Sequence, residues 1–164
     1  KQLGRNPDNL MGIARRCPRG LPLVIITHPF ASEKGVFPTT FWLSCPFWVK
    51  EISKLENKSW VQKLSKKLKR DKNFKEELEQ SHSNYAEKRF NLLDQDTVKK
   101  IKKISPDILQ VIKNSGIAGI RNKEGIKCLH AHVADHLVKG TNPVGKIIVA
   151  QLPSLTDCNF QLEK

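Results

Sequence analysis

The sequence predicts an α+β fold in which a small antiparallel sheet of about three strands, near the N-terminus, packs with four to six helices. Residues 1–45 are rich in glycine, proline and strand-forming residues, whereas apolar residues in 46–115 recur at intervals of three and four. The 164 residues correspond to one domain. We therefore expect a single domain, 1–164, whose third region, 116–164, contains a Cys/His motif and the C-terminal segment.

Three short segments, residues 11–17, 21–28 and 37–45, have the composition of strands. Pro18, Arg19 and Gly20 form a turn signal between the first two segments. Short connections suit antiparallel neighbours, because a parallel pair needs a long crossover. The simplest expected arrangement is therefore a meander.

The helical region begins at Pro46, whose missing N–H costs nothing in the first turn of a helix. Apolar residues at helical spacing then predict helices within residues 46–55, 60–68, 71–93 and 106–112. A later helix, about residues 126–139, is expected to end at Gly140. Residues 146–152 are apolar and β-branched, which leaves strand and buried helix as alternatives.

The apolar segments are too short to cross a bilayer, which requires about 20 consecutive apolar residues. The N-terminus is polar and charged and has no secretory hydrophobic segment. The four cysteines are far apart and do not suggest a disulfide scaffold. These features predict a cytoplasmic protein with no membrane span.

The chain is strongly basic, with 29 Lys and Arg residues against 16 Asp and Glu residues, for a formal net charge of +13. Such a charge favours nucleic acid or a phosphorylated, anionic ligand as partner. The alternative is compositional, because many lysines lie within residues 50–103 and alternate with glutamates, as on a solvated helical surface.

The segment 127–136 is unusual because it contains Cys128, His130, His132 and His136. If the whole segment is helical, Cys128, His132 and His136 share one face at steps of four. Thiolate and imidazole together suit zinc or iron. The alternative is that Cys128 is a buried structural residue and that the histidines are hydrogen-bonded.

A second group surrounds the first turn, where Arg16 and Arg19 flank Cys17, and Arg5 can join them. Guanidinium groups bind phosphate or carboxylate, although a simple polar turn has the same composition. Cys45 precedes the helix at Pro46, where the helix dipole would favour its thiolate as a ligand or nucleophile.

At these motifs the sequence resembles the bacterial domain-of-unknown-function family 501 (DUF501). The resemblance covers about residues 2–150, in order and with similar spacing, and its main stretches are QLGR at 2–5, RCPRGLP at 16–22, FPTTFWLSCP at 37–46, LE at 55–56, IKCLHAH at 126–132 and GTNPVG at 140–145. The family has no established activity. The resemblance gives weight to a shared set of residues, namely Arg5, Cys17, Cys45, Cys128, His130 and Asn142.

The shared set suggests a site in which Cys17, Cys45, Cys128 and His130 form a closed zinc site or hold an iron–sulfur centre. Cys128 and His130 are two residues apart, so within one helix they would point in nearly opposite directions. Such a site therefore requires the helix to begin after Cys128.

Three functions follow from these motifs. The first is a metal-containing or structural domain without enzymatic activity. The second is a phosphate- or anion-binding protein or enzyme, in which Arg5, Arg16, Arg19 and Asn142 hold the ligand and Cys128 or His130 performs the chemistry. The third is an accessory protein that binds nucleic acid through its basic helices.

Overall fold

The computed structural model describes residues 2–4, 7, 9–31 and 35–158 and confirms the α+β class. Seven α-helices occur in these residues, one more than the upper end of the predicted range. The strands are β1 (Leu10–Arg16), β2 (Pro22–Thr27), β3 (Phe30–Ala31), β4 (Gly35–Val36) and β5 (Phe41–Leu43), and the helices are α1 (Pro46–Asn57), α2 (Trp60–Arg70), α3 (Lys72–Asn91), α4 (Gln95–Ile104), α5 (Pro106–Asn114), α6 (Leu129–Lys139) and α7 (Pro143–Val149).

The main sheet has three antiparallel strands in the order β1-β2-β5, which is the order of the predicted meander. Ile13 pairs with Ile25, and Val24 pairs with Leu43. Strand β5 begins at Phe41 and not at the predicted residue 37. At residue 37 the backbone bonds outside this sheet, because the Phe37 amide donates to the Pro29 carbonyl. The two short strands β3 and β4 form a separate pair.

The main core lies between the sheet and the helices α1, α2, α3, α6 and α7. Many of the apolar positions predicted from helical spacing are buried there, including Trp48, Ile52 and Leu64. A smaller cluster joins Phe30 to α4 and α5. Of residues 146–152, left open between strand and helix, 146–149 form the second half of helix α7 and 150–152 follow it.

Arg89 on α3 is a fully buried cation that connects three parts of the fold. Its guanidinium donates to the carbonyls of Ile112 at 2.8 Å, of Pro38 at 2.7 Å and of Ser115. Because these carbonyls satisfy the buried donors, α3 is held against α5 and against the segment that leads into β5.

Candidate metal centre

A group of three potential metal ligands forms where the end of α1 meets the start of α6. The residues are Glu56, Cys128 and His130, and their ligand atoms all lie within 4.8 Å of one another. Among the described residues, no other group of three or more His, Cys, Asp or Glu ligand atoms meets this condition. Glu56 is near the C-terminus of α1, whereas Cys128 and His130 flank the first residue of α6.

Helix α6 begins at Leu129, which satisfies the condition that it start after Cys128. Cys128 has an extended backbone, and its side chain does not cap the helix. Glu56 supplies the missing acceptor, because its Oε1 accepts a hydrogen bond of 2.8 Å from the Leu129 amide. The carboxylate therefore satisfies a free N–H of the first turn and fixes α6 against α1.

The distances around the His130 ring are close to those of a metal site. Its Nδ1 is 3.4 Å from Glu56 Oε1 and 3.8 Å from Cys128 Sγ. Ligand atoms at zinc-bond lengths in a tetrahedral site lie about 3.3–3.6 Å apart. His130 Nδ1 therefore lies close to a zinc-site spacing from both other ligand atoms, and the third pair is within 4.8 Å.

The Val49 carbonyl oxygen fixes the tautomer of His130. It lies 3.0 Å from His130 Nε2, and a carbonyl can only accept, so Nε2 carries the hydrogen. Ser53 Oγ also donates to this carbonyl, at 3.0 Å. In the neutral ring, Nδ1 consequently presents its lone pair to Cys128 and Glu56. Metal-binding histidines are commonly oriented in this way, with the second nitrogen donating to a carbonyl.

The electrostatics of the group favour a positive charge at His130 Nδ1. Burial lowers the pKa of the ring, but the hydrogen bonds to Cys128 and to the Val49 carbonyl, together with the charge of Glu56, outweigh burial and raise the pKa to about 9. A divalent cation would benefit from the same ligand atoms.

A cavity of about 420 Å³ opens beside Cys128 and His130. Its walls are mostly apolar and come from β5, α1, α6 and the segment before α6, with Thr39, Phe41, Trp42, Leu43, Val49, Ala118, Lys127 and Ala131 as the other lining residues. Glu56 is not among them, so the cavity reaches the group from the side of the thiol and the imidazole.

The structure does not bring the other two cysteines of the predicted four-ligand set into this group. Cys17 and Cys45 follow β1 and β5, which flank β2 on opposite sides. Two strand spacings, about 10 Å, therefore separate the two strands. Burial raises the pKa of the Cys45 thiol, and this outweighs the hydrogen bonds from the Trp48 and Phe47 amides at the helix start that favour the thiolate.

His132 and His136 do not join the group either, because their face of α6 packs against α7. A Cβ built on Gly145 would lie within 3.0 Å of the His132 carbonyl oxygen and of His136 Cβ. His132 is fully buried, and burial lowers its pKa to about 3. The predicted helical face of Cys128, His132 and His136 is not formed, since Cys128 precedes the helix, His132 is fully buried and His136 is half-buried against α7.

Asn142 is fully buried and has a structural role that argues against direct ligand contact. Its Oδ1 accepts from the Gly145 amide at 2.9 Å, which caps α7. The amide nitrogen contacts His132 Nδ1 at 3.2 Å and donates to Asp135 Oδ2 at 2.9 Å. Asn142 thus joins α6 to the start of α7.

Of the predicted anion-binding arginines, Arg16 ends β1 and Arg19 lies in the exposed turn that follows. Arg16 Nη1 donates to the Gly20 carbonyl at 2.7 Å, and Arg19 Nη1 donates to the Cys158 carbonyl at 2.7 Å. Arg5 lies outside the described residues. Neither Arg16 nor Arg19 lines the cavity beside His130.

Several lysines of residues 50–103 are paired with acidic residues along their own helices. Examples are Lys54 with Glu51 at 2.6 Å and Lys75 with Glu79 at 3.5 Å. This pattern fits the solvated-surface interpretation of the lysine-rich stretch. No helix in the described part of the chain is both long and apolar enough to cross a membrane.

Glu56 was not among the site residues predicted from the sequence, although it lies within a stretch that carries the family resemblance. Its partner Leu129 is 73 positions away, and spacing along the chain cannot indicate such a contact. The only available signal was the presence of Leu55-Glu56 among the matching stretches.

Comparison with known proteins identifies a family to which most of the chain is similar. The sequence pattern of the family described as "Protein of unknown function (DUF501)" matches residues 13–150, which include Glu56, Cys128 and His130. Neither the curated proteins nor the solved structures contain a significant match.

Proposed function

The chain belongs to the DUF501 family, and because this membership names no activity, we propose from the geometry that the protein binds zinc through Glu56, Cys128 and His130. The observation that carries the proposal is the convergence of three ligand atoms within 4.8 Å. The Val49 carbonyl supports it by orienting the imidazole. A thiolate, an imidazole and a carboxylate form a donor set that suits zinc.

Three protein ligands leave a fourth tetrahedral position for water or another small molecule. Zinc sites with an open position of this kind serve binding or catalysis, whereas structural sites have four protein ligands. The cavity lies beside two of the three ligands and gives this position access to small molecules. Ligation also needs a reduced thiol, which agrees with our proposal of a cytoplasmic protein.

The test is elemental analysis of the full chain purified without a metal-affinity tag. We expect about one zinc per chain, with at least a tenfold loss of zinc affinity in Cys128→Ser and in His130→Gln. Glu56→Gln keeps an acceptor for the Leu129 amide but loses the carboxylate, so it separates ligation from helix capping. The matched control is Cys17→Ser, a half-buried cysteine outside the group, which should retain zinc.

Cobalt substitution gives an independent measurement of the ligands. The cobalt-loaded protein should show thiolate-to-metal charge-transfer absorption that Cys128→Ser removes and Cys17→Ser preserves. Zinc loss in Cys17→Ser, or full retention in Cys128→Ser, would contradict the proposed ligand set. If the protein holds iron and no zinc, the proposed ligand set stands and the assignment of zinc is wrong.

A second candidate function is thiol chemistry at Cys128. The observation that favours it is the 3.8 Å separation of Cys128 Sγ and His130 Nδ1 beside a cavity. This candidate predicts that iodoacetamide modifies Cys128 fastest among the four cysteines in metal-free protein, and that His130→Gln slows the modification. Equal rates in the two proteins would leave zinc binding as the remaining candidate.

A further inference from the structure

The cavity beside Glu56, Cys128 and His130, here called the metal group, has the size of a site for a small molecule. Its volume of about 420 Å³ falls within the range of such sites and is too small for a folded partner. The rings of Phe41 and Trp42 form part of its wall, and Val49, Ala118 and Ala131 add aliphatic surface. An apolar and preferably flat ligand body would therefore lose its hydration shell there.

The polar groups of the lining are concentrated near the start of α6. Lys127 is exposed at this position, and no carboxylate lies within 4.0 Å of its ammonium group among the ion pairs of the described residues. His130 and Cys128 follow directly in the lining. A ligand whose apolar body fills the cavity would thus place its other end near a lysine and the metal group.

The Trp42 indole nitrogen does not offer a further donor to such a ligand. It already donates to Thr27 Oγ1 at 3.0 Å and to the Thr39 carbonyl at 2.9 Å. These two bonds hold the indole in place, so that the ring contributes a rigid apolar surface. Lys127 and His130 are therefore the residues of the lining that can attract an anionic head group.

We infer that this cavity binds a small organic anion with a flat apolar body, whose carboxylate or similar head group contacts Lys127 and the open position of the metal. The contact with the metal rests on the proposed zinc site. The contacts with the walls and with Lys127 depend only on the cavity. The two parts can therefore succeed or fail separately.

Calorimetric titration of the full chain with phenylacetate tests the inference, with acetate and 2-phenylethanol as comparison probes. Acetate has the carboxylate without the ring, and 2-phenylethanol has the ring without the charge. Each titration is carried out on zinc-loaded and on metal-free protein, and zinc content is measured on the same samples. We expect phenylacetate to bind more than about tenfold tighter than either comparison probe.

Two variants locate the bound probe. Ala118→Leu fills the cavity from a residue that is not a proposed ligand and should weaken phenylacetate at least tenfold without changing zinc content. Lys127→Gln should weaken phenylacetate several-fold and leave 2-phenylethanol unchanged. Lys146→Gln, an exposed lysine on α7, is the matched control and should bind phenylacetate like the parent protein.

The outcomes separate the two proposals. A preference for phenylacetate that depends on Ala118 and Lys127 supports the ligand inference, and a loss of affinity in metal-free protein supports the metal contact. If the protein shows the same preference but does not take up zinc, the result supports the ligand cavity and refutes the zinc site. Two results overturn the inference. One is that zinc-loaded protein binds phenylacetate no better than acetate, and the other is that neither Lys127→Gln nor Ala118→Leu changes the affinity for phenylacetate.

Discussion

The packing of α6 against α7 leads to a prediction in which structure and helix propensity disagree. Gly145 lies inside α7, where propensity alone predicts that Gly145→Ala stabilises the protein by about 1 kcal/mol. The structure predicts the opposite, because the added methyl would lie within 3.0 Å of the His132 carbonyl oxygen and of His136 Cβ. Neither obstacle can rotate away, since one is backbone and the other is fixed to it.

The magnitude follows from the separation that the two helices would need. Ordinary contact between carbon atoms requires about 3.5–4.0 Å, and the added methyl would lie well under 3.0 Å from both atoms, so α6 and α7 must part by about 1 Å. Overpacking of this kind costs about 1–3 kcal/mol, and the gain in propensity offsets part of that cost. We expect a net loss of about 1–2 kcal/mol in the free energy of unfolding, seen in urea as a lower midpoint.

Gly140 provides the matched control, because nothing lies within 4 Å of a Cβ built there and its φ is +77°. Substitution at Gly140 is therefore limited by backbone conformation, and Gly140→Asn should cost less than Gly140→Ala. At Gly145 the order should reverse, because asparagine is larger than alanine. A Gly145→Ala protein that is as stable as the parent would refute the packing argument.

Two further predictions concern buried polar groups. Tyr85→Phe removes the hydroxyl that accepts from the Thr40 and Phe41 amides at 2.6 and 3.2 Å, and it should reduce the free energy of unfolding by about 2–4 kcal/mol. Urea denaturation measures this loss, and an unchanged midpoint would contradict it. Burial lowers the pKa of His82 to about 4, so the unfolded chain binds the proton first as the pH falls. Neutral His82 therefore contributes to the free energy of unfolding an amount of the order of 3 kcal/mol, which should be lost as the pH falls from about 6.5 to 4. His82→Asn keeps an acceptor for the Ile117 amide and should flatten this pH dependence, whereas an equal slope would exclude His82 as its source.

Much of the fold could be predicted because its signals are local. Pro46 marks the first turn of α1, and Gly140 ends α6 with a φ of +77°. Both follow from the conformational limits of single residues. The meander order follows from short connections. The start of β5 could not be predicted from composition, because Tyr85 and Pro29 bind the backbone that precedes it.

The candidate site was only partly predictable from the sequence. Cys128 and His130 were identified from their residue types, and the need for a helix start between them was also clear from the helical repeat. His132 and His136 have the same side chain as His130 but lie, with Asn142, in the packing of α6 against α7. Sequence spacing cannot separate the two sets, since it does not show which face of a helix is covered.

The sequence by itself determined the α+β class, the end of α6 at Gly140 and the choice of Cys128 and His130 as candidate ligands, because each depends on neighbouring residues. Only the tertiary structure decided that Glu56, rather than Cys17 or Cys45, completes the group. The end of α1 approaches the start of α6 because their apolar faces share one core. That approach also gives Glu56 a free amide to bind, and it leaves Cys128 and His130 facing an apolar cavity.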